Sequence, residues 1–185
     1  MTKPMVWGAL GLSLVGASAA NAQSMTLTSP DLNEGATIAN EQVFKGFGCT
    51  GGNLSPALSW SGAPSGTKSL ALSIYDPDAP TGSGWWHWVV YDLPANVNSL
   101  PKGAGAEHSS TLPAGTQQGR TDLGNDAYHG PCPDKGQPPH HYKFTIYALS
   151  VEKLDVPPEA SGAMVTSTAK ENVLAKAVFV ARYGR

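Results

Sequence analysis

The stretch SLALSIYDPDAPTGSGWWHWVVYDL, residues 69–93, contains two apolar segments separated by a loop rich in Asp, Pro and Gly. The first segment, Ser69 to Tyr75, alternates between apolar and small polar residues, as a half-buried strand does. The second segment, Trp86 to Leu93, is aromatic and β-branched, which is typical of a buried strand. This part of the chain therefore predicts two β-strands on either side of an acidic loop.

Similar short segments lie on both sides of this stretch. Tyr142 to Leu149 is a third strong strand candidate, and weaker candidates are Met25 to Thr28, Ala57 to Trp60 and Val178 to Tyr183. Short strands separated by Gly, Pro, Asn and Ser favour a sandwich of antiparallel sheets over a parallel α/β sheet. The predicted fold class is therefore mostly β, with two antiparallel sheets.

One short helical segment is predicted near the C-terminus. The run Thr166-Ser167-Thr168 offers hydroxyl groups that can cap the start of a helix. The apolar residues that follow the cap at helical spacing are Ala169, Val173, Leu174 and Ala177.

The first 22 residues have the organisation of a cleaved signal peptide. Lys3 supplies a positive charge, Val6 to Ala19 is small and apolar, and Ala20-Asn21-Ala22 has the form that signal peptidase recognises. The alternative is a membrane anchor, but about 15 apolar residues are too few to cross a bilayer. We therefore expect a periplasmic or secreted protein that starts at Gln23, forms one domain over residues 23–185 and contains no transmembrane segment.

The charge of the chain argues against binding to nucleic acid. There are 12 basic and 14 acidic residues, which give a net charge of −2 with neutral histidines. No stretch of the sequence concentrates Lys and Arg, as a surface that follows a phosphate backbone requires. Nucleic acid is therefore not an expected partner.

The chain contains two cysteines, Cys49 and Cys132. An even number of cysteines in an exported protein is consistent with a disulfide bond between them. The alternative is a pair of buried thiols, because sequence alone does not give the distance between the two residues.

An acidic loop and a histidine are the first candidates for a functional site. In Asp76-Pro-Asp-Ala-Pro80 the prolines hold two carboxylates on a stiff loop, although Asp and Pro are also ordinary turn residues. In the next strand, alternation places Trp86 and Trp88 on one face and Trp85 and His87 on the other. A nearby aspartate would favour the protonated form of His87, whereas the alternative is a structural histidine in the core.

A third group of candidate residues lies between residues 128 and 142. Gly130 offers a backbone N–H without a Cβ beside it. His140 and Tyr142 are expected to point to the same side of a strand, with His141 on the opposite side. Together the three regions provide hydrogen-bond donors for a compact anion site.

Several other kinds of site are disfavoured. The candidate metal ligands are His87, His129, His140, Cys49 and Cys132, but the spacings of known zinc motifs are absent. The usual motifs of serine hydrolases, P-loop proteins and dinucleotide-binding domains are absent as well. We therefore expect no metal and no cofactor.

The order of these motifs resembles that of the phosphatidylethanolamine-binding protein family. The motifs are Asp76-Pro-Asp-Ala-Pro80, the Trp and His residues that follow it, and Gly130-Pro-x-Pro-x-x-Gly136, which leads to His140-x-Tyr142. Two further segments, Gly48 to Pro56 and Gly82 to Trp88, resemble the bacterial Raf-kinase-inhibitor-like branch of the family. The resemblance covers the chain from about Met25 to Tyr183.

This resemblance implies a fold of two antiparallel sheets with a C-terminal helical segment, and a shallow pocket for phosphate, a phospholipid head group or a phosphorylated side chain. By motif, the implied pocket residues are Asp76, Asp78, Pro80, Trp85, His87, Gly130, His140 and Tyr142. Two positions depart from the family pattern. His141 stands where arginine is usual, which puts the stability of the neighbouring loop in doubt, and Asp134 stands where proline is common.

The sequence favours a binding protein without catalytic activity, such as an inhibitor or regulator of another protein. In the expected mechanism, Asp76 orients His87, and His87, His140, the Gly130 N–H and the Tyr142 hydroxyl donate to an anion, whereas Asp78 holds the loop. Affinity is expected to fall as the pH rises through the histidine pKa. One alternative is a hydrolase or lyase that uses Asp76 and His87 as an acid/base pair. Another is a protein that acts through its outer surface.

Overall fold

The computed structural model describes residues 24–185, in which the largest element is a five-stranded antiparallel sheet. Its strands, in spatial order, are β10 (Val173–Tyr183), β9 (His140–Leu149), β5 (Ser69–Asp76), β6 (Trp85–Pro94) and β8 (Gln117–Gln118). We call this the main sheet. The predicted signal peptide, residues 1–22, and the expected mature start, Gln23, lie outside the described residues.

Two smaller sheets and one helix complete the described elements. The three-stranded sheet contains β1 (Thr26–Thr28), β4 (Leu58–Ser61) and β7 (Ser99–Leu100), in the order β1-β4-β7. A short hairpin pairs β2 (Lys45–Gly46) with β3 (Cys49–Thr50), and the helix α1 spans Gly162–Glu171. The predicted class, mostly β with antiparallel sheets and a late helical segment, is confirmed.

The main core lies between the three-stranded sheet and one face of the main sheet. Alternation along β5 sends Leu70, Leu72 and Ile74 into this core, where they meet Leu58 and Trp60 of β4. All five side chains are buried. Burial of a large apolar side chain stabilises the folded state by about 1.5 to 3 kcal/mol, so this layer holds the two sheets together.

A second, smaller core lies on the opposite face of the main sheet, under α1. Ser161 caps the helix by accepting a hydrogen bond from the N–H of Met164 at 3.3 Å. Val165 and Ala169 of the helix then pack against Val89 and Tyr147 of the sheet. The helix covers only part of this face, and the remainder forms a groove.

The predicted helix is wrong in position: it begins and ends about one and a half turns later in the sequence than α1 does. The apolar residues taken as its C-terminal half, Val173 to Ala177, belong to β10, which pairs with β9 over its whole length. Asn172 ends the helix with a non-helical backbone. The alternation of buried Ala177, Phe179 and Ala181 is the strand pattern that determined this part of the chain.

A β-bulge at His87 corrects the predicted faces of the tryptophans. Trp86 and Trp88 pair with consecutive residues of β5, which leaves His87 as the extra residue. Trp86 therefore packs against the core under the helix, whereas Trp88 belongs to the main core. The predicted shared face of these two tryptophans is wrong. Trp85 and His87 do line one cavity, as expected.

Over residues 24–185, no helix is long and apolar enough to span a membrane.

Candidate functional site

A cavity of about 190 Å³ opens at one end of the central strands of the main sheet, where β5 ends and where β6 and β9 begin. Because neighbouring strands are antiparallel, the acidic loop and the two histidine segments come together at this end. Seven of the eight predicted pocket residues line the cavity: Asp76, Pro80, Trp85, His87, Gly130, His140 and Tyr142. Asp78 does not line it.

Asp76 is the buried acid of the site, with 3% of its surface exposed. Its Oδ2 accepts a hydrogen bond from Nδ1 of His140 at 2.7 Å, and its Oδ1 accepts from the N–H of Asp78 at 2.8 Å. These contacts correct the expected role of this carboxylate. Asp76 orients His140 and shapes the acidic loop, and it makes no hydrogen bond to His87.

His87 is held by a backbone carbonyl instead. Its Nδ1 lies 2.7 Å from the carbonyl oxygen of His129, which can only accept, so Nδ1 carries a proton. Burial lowers the pKa of His87 to about 4, although the hydrogen bond to His129 and the charge of Asp76 oppose this shift. The ring is therefore neutral at pH 7 and its Nε2 is an acceptor. The expectation of a charged His87 is wrong for the free protein.

The Tyr142 hydroxyl is a donor that remains free for a ligand. Its ring packs edge-on against His87 with the ring centres 5.2 Å apart. Burial, assisted by the charge of Asp76, raises the pKa of Tyr142, so the hydroxyl keeps its proton. This hydroxyl makes no hydrogen bond to any residue between 24 and 185, although the side chain lines the cavity.

His140 presents its second nitrogen to the cavity. With Nδ1 bound to Asp76, Nε2 lies 3.0 Å from Oε1 of Gln137, which also lines the cavity. Gln137 is only partly buried, on the segment that precedes β9. Both partner atoms are acceptors, so both ring nitrogens of His140 carry a proton in this arrangement. The oxygen of Gln137 therefore occupies the position at which a ligand oxygen would accept a hydrogen bond from Nε2.

Gly130 lines the cavity, but its N–H is already used. This N–H donates to Oδ1 of Asn53 at 2.9 Å, which corrects the expectation that it completes an anion cradle. A Cβ at this position would overlap the backbone carbonyl of Gln42. The glycine is needed because two backbone segments pass close to each other.

Asp78 lies outside the cavity and holds the acidic loop against β9. Its Oδ2 accepts hydrogen bonds from the backbone N–H of His141 at 2.8 Å and from the His141 ring at 2.7 Å. Burial tends to raise the pKa of Asp78, but the two hydrogen bonds from His141 outweigh it and lower the pKa. His141 thus holds this loop against β9.

Ten of the 17 residues that line the cavity were not assigned to the pocket from the sequence, among them Phe44, Phe47 and Gln137. A disulfide bond joins Cys49 to Cys132, with the Cα atoms 6.1 Å apart, and Cys132 lines the same cavity. This bond ties the segment of Phe44 and Phe47 to the wall that carries Gly130. The cysteine pair was therefore the sequence signal from which the position of the two phenylalanines beside the cavity could have been predicted.

The part of the chain that the structure describes contains no group of three His, Cys, Asp or Glu side chains arranged for a metal ion. Four of the candidate ligands named above are engaged in other contacts. Nδ1 of His87 is hydrogen-bonded to the carbonyl of His129, and Nδ1 of His140 is hydrogen-bonded to Asp76. Both cysteines are in the disulfide bond.

The lowered pKa of His87 makes the stability of the protein depend on pH. An unfolded histidine titrates near pH 6.5, so between pH 6.5 and pH 4 the unfolded chain binds a proton that the folded chain does not. We therefore expect the titration of His87 to make the folded protein about 3 kcal/mol less stable at pH 4 than at pH 7. Urea unfolding at both pH values, in the wild type and in His87→Gln, measures this difference. An equal pH dependence in both proteins would contradict it.

Comparison with known proteins identifies the family of this chain. The phosphatidylethanolamine-binding protein family matches residues 28–184. YbcL of Escherichia coli is 49% identical over 158 residues, which cover 85% of this chain and 86% of YbcL. YbhB of the same organism is 47% identical over 159 residues, covering 86% and 99%.

A solved structure and a more distant relative extend the comparison. The crystal structure of YbcL superposes with a TM-score of 0.85 at 48% identity, covering 88% of this chain and 99% of that one. LppC of Mycobacterium tuberculosis is 38% identical over 141 residues, covering 76% of this chain and 63% of LppC. The match over nearly all of residues 24–185 confirms what the motifs predict: the chain belongs to the phosphatidylethanolamine-binding protein family.

Proposed function

We propose that this chain is an exported, non-enzymatic binding protein whose cavity takes a small phosphate-type anion. The observation that carries the proposal is that His140 and Tyr142, whose hydroxyl has no partner among residues 24–185, line the same cavity. Nε2 of His140 contacts the oxygen of Gln137 there. An oxyanion can accept from both donors once Gln137 moves aside. Membership of the phosphatidylethanolamine-binding family supports the same class of ligand.

The size of the cavity supports a small ligand. Sites for drug-sized molecules usually occupy about 300 to 1,000 Å³, and this cavity has about 190 Å³. It therefore suits a phosphate group, with the rest of a phospholipid or of a phosphorylated protein remaining outside. Recognition of a phosphorylated side chain would make the protein a regulator or inhibitor of the protein that carries it.

The neutral state of His87 sets the protonation state of the preferred ligand. Because Nε2 of His87 is an acceptor in the free protein, a bound phosphate must donate a P–OH hydrogen to it or bring a proton to the ring. In both cases one proton lies between His87 and the ligand. The second pKa of a phosphorylated side chain is about 6, so the affinity falls as the pH rises above this value.

Two observations support export. The disulfide bond between Cys49 and Cys132 is typical of oxidising compartments, and one relative, LppC, is named a lipoprotein. Both agree with the signal peptide expected over residues 1–22, and the proposal places the protein in the periplasm or outside the cell.

The contacts of Asp76 and His87 support binding over catalysis. A hydrolase or lyase of the kind considered above would pair these two side chains. Among the described residues, Asp76 instead pairs with His140, and His87 pairs with the carbonyl of His129. An assay of phosphoester and ester turnover tests this proposal, and activity that His87→Ala abolishes would overturn it.

Two substitutions with opposite expected effects test the anion pocket. Gln137→Ala removes the oxygen that competes with the ligand at His140, so the affinity for phosphate is expected to rise roughly threefold. Tyr142→Phe removes only a hydroxyl and is expected to lower the affinity roughly tenfold, as the loss of a hydrogen bond to a charged group does. Isothermal titration calorimetry with phosphate at pH 5.5 measures both.

His141→Gln is the matched control for these two substitutions, because His141 lies in the same strand as Tyr142 but points away from the cavity. Its phosphate affinity is expected to equal that of the wild type. Equal affinities in the wild type and in Tyr142→Phe would contradict the proposed binding mode.

A further inference from the structure

A groove of about 490 Å³ lies on the helix side of the main sheet, beside α1. Its floor consists of the part of the sheet that α1 leaves uncovered, with Ser73 and Tyr75 of β5 and Thr145 of β9. Thr166 and Lys170 of α1 form one wall. The groove shares no residue with the anion cavity.

Three lysines give the groove a concentrated positive charge. Lys143 lies on β9, Lys170 on α1 and Lys176 on β10, and all three are exposed and line the groove. No Asp or Glu lines it, and none of the three ammonium groups lies within 4.0 Å of a carboxylate of residues 24–185. This local charge is opposite in sign to the net charge of −2 of the whole chain.

The floor of the groove carries two hydroxyl groups without protein partners. Ser73 and Thr145 face each other across β5 and β9, with exposed fractions of only 2% and 7%. Over residues 24–185 neither hydroxyl makes a hydrogen bond, although both side chains line the groove. Neither oxygen is fully enclosed, so both hydroxyl groups reach the open groove. A bound group in the groove can therefore accept hydrogen bonds from them.

A pair of aromatic rings borders the charged region. The rings of Tyr75 and Trp86 lie 4.5 Å apart between their centres, and both side chains line the groove. The volume of about 490 Å³ lies within the usual range for small-molecule sites, roughly 300 to 1,000 Å³. The groove thus combines cations, free hydroxyls and an apolar border in a concave site of ligand size.

We infer that this lysine groove is a second ligand site, which binds a small molecule with at least two phosphate groups. Three separate ammonium groups can neutralise more than one anionic group, and Ser73 and Thr145 can donate to the phosphate oxygens at the floor. The groove is too large for a single phosphate and offers an aromatic surface for an organic part of the ligand. Its ligand is therefore distinct from that of the anion cavity.

The test uses inorganic pyrophosphate as the probe and follows the backbone amide resonances of Ser73 and Thr145 by NMR. Lys170→Gln/Lys176→Gln removes two charges from the groove and is expected to weaken binding at least about tenfold. The control Lys68→Gln/Lys153→Gln changes the net charge equally with exposed lysines that do not line the groove. Its affinity is expected to equal that of the wild type.

Two further measurements separate this site from the anion cavity and from general attraction of anions. Ser73→Ala keeps the charge but is expected to weaken pyrophosphate binding at the groove several-fold. Tyr142→Phe alters only the anion cavity, so the pyrophosphate titration of the Ser73 and Thr145 amides is expected to equal that of the wild type. Equal losses in the two double variants, or no response of the Ser73 and Thr145 amides, would overturn the inference. It would also be overturned if acidic peptides or a second copy of the chain bound the groove and pyrophosphate did not.

Discussion

Asp76→Ala is expected to lower the free energy of unfolding by about 3 to 5 kcal/mol, the usual cost of breaking a buried charged pair. Asp76 is 97% buried and accepts hydrogen bonds from His140 and from the backbone of Asp78. Without the carboxylate, Nδ1 of His140 and one N–H of the acidic loop lose their partners. Urea unfolding at pH 7 measures the effect, and phosphate binding should be lost with it because His140 is no longer oriented.

Asp78→Ala is the matched control, because Asp78 belongs to the same loop but lies outside the cavity. Its side chain and that of its partner His141 are both 42% exposed. Exposed ion pairs contribute about 0.2 to 1 kcal/mol, so we expect a small loss of stability and nearly normal phosphate binding. Equal losses in the two variants would contradict the distinction between a pocket acid and a loop acid.

Removal of the disulfide bond is expected to have an effect of similar size. Cys49 and Cys132 are 83 residues apart, and closing a loop of this length stabilises a protein by about 4 kcal/mol in the chain-entropy view. Cys49→Ala/Cys132→Ala should therefore unfold at a much lower urea concentration than the oxidised wild type. A control under reducing conditions should bring the wild type to the stability of the variant.

The disulfide also joins two walls of the anion cavity. It ties the segment that carries Phe47 to the segment that carries Gly130. The double alanine variant is therefore expected to bind phosphate more weakly even where it remains folded. Stability within about 1 kcal/mol of the wild type would show that the closed loop contributes little to this fold.

The strands could be predicted from the sequence because their side chains follow a simple period. Leu70, Leu72 and Ile74 alternate along β5, and the buried ends of the pocket strands carry recognisable motifs. The same period placed Tyr142 and His140 on one face, where both line the cavity. The local sequence pattern was sufficient to predict the position of a residue where that position depends only on the face of its own strand.

Contacts between distant segments could not be predicted in this way. The hydrogen bond from His140 to Asp76 joins two strands, and sequence alone had paired Asp76 with His87. The bulge at His87 depends on how β6 pairs with β5, so alternation failed for Trp86 and Trp88. The helix was misplaced because apolar residues of β10 also fit a helical spacing over a short window.

The positive charge of the lysine groove could not be predicted from the sequence either. Lys143 is distant in the sequence from Lys170 and Lys176, and the three lysines form no basic run. The pairing of β9 with β10 and the packing of α1 on the sheet bring them to one groove. A search of the sequence for clustered basic residues could not find this surface.

The most direct test of the anion pocket is an NMR titration of residues 23–185, the expected mature form, with phosphate and phosphoethanolamine at pH 5.5 and pH 8.5. The ring resonances of His87 and His140 report on the two sides of the cavity. We expect saturable shifts of both rings and tighter binding at pH 5.5, because one proton is shared between His87 and the ligand. No shift at millimolar ligand, or equal affinity at both pH values, would contradict the account.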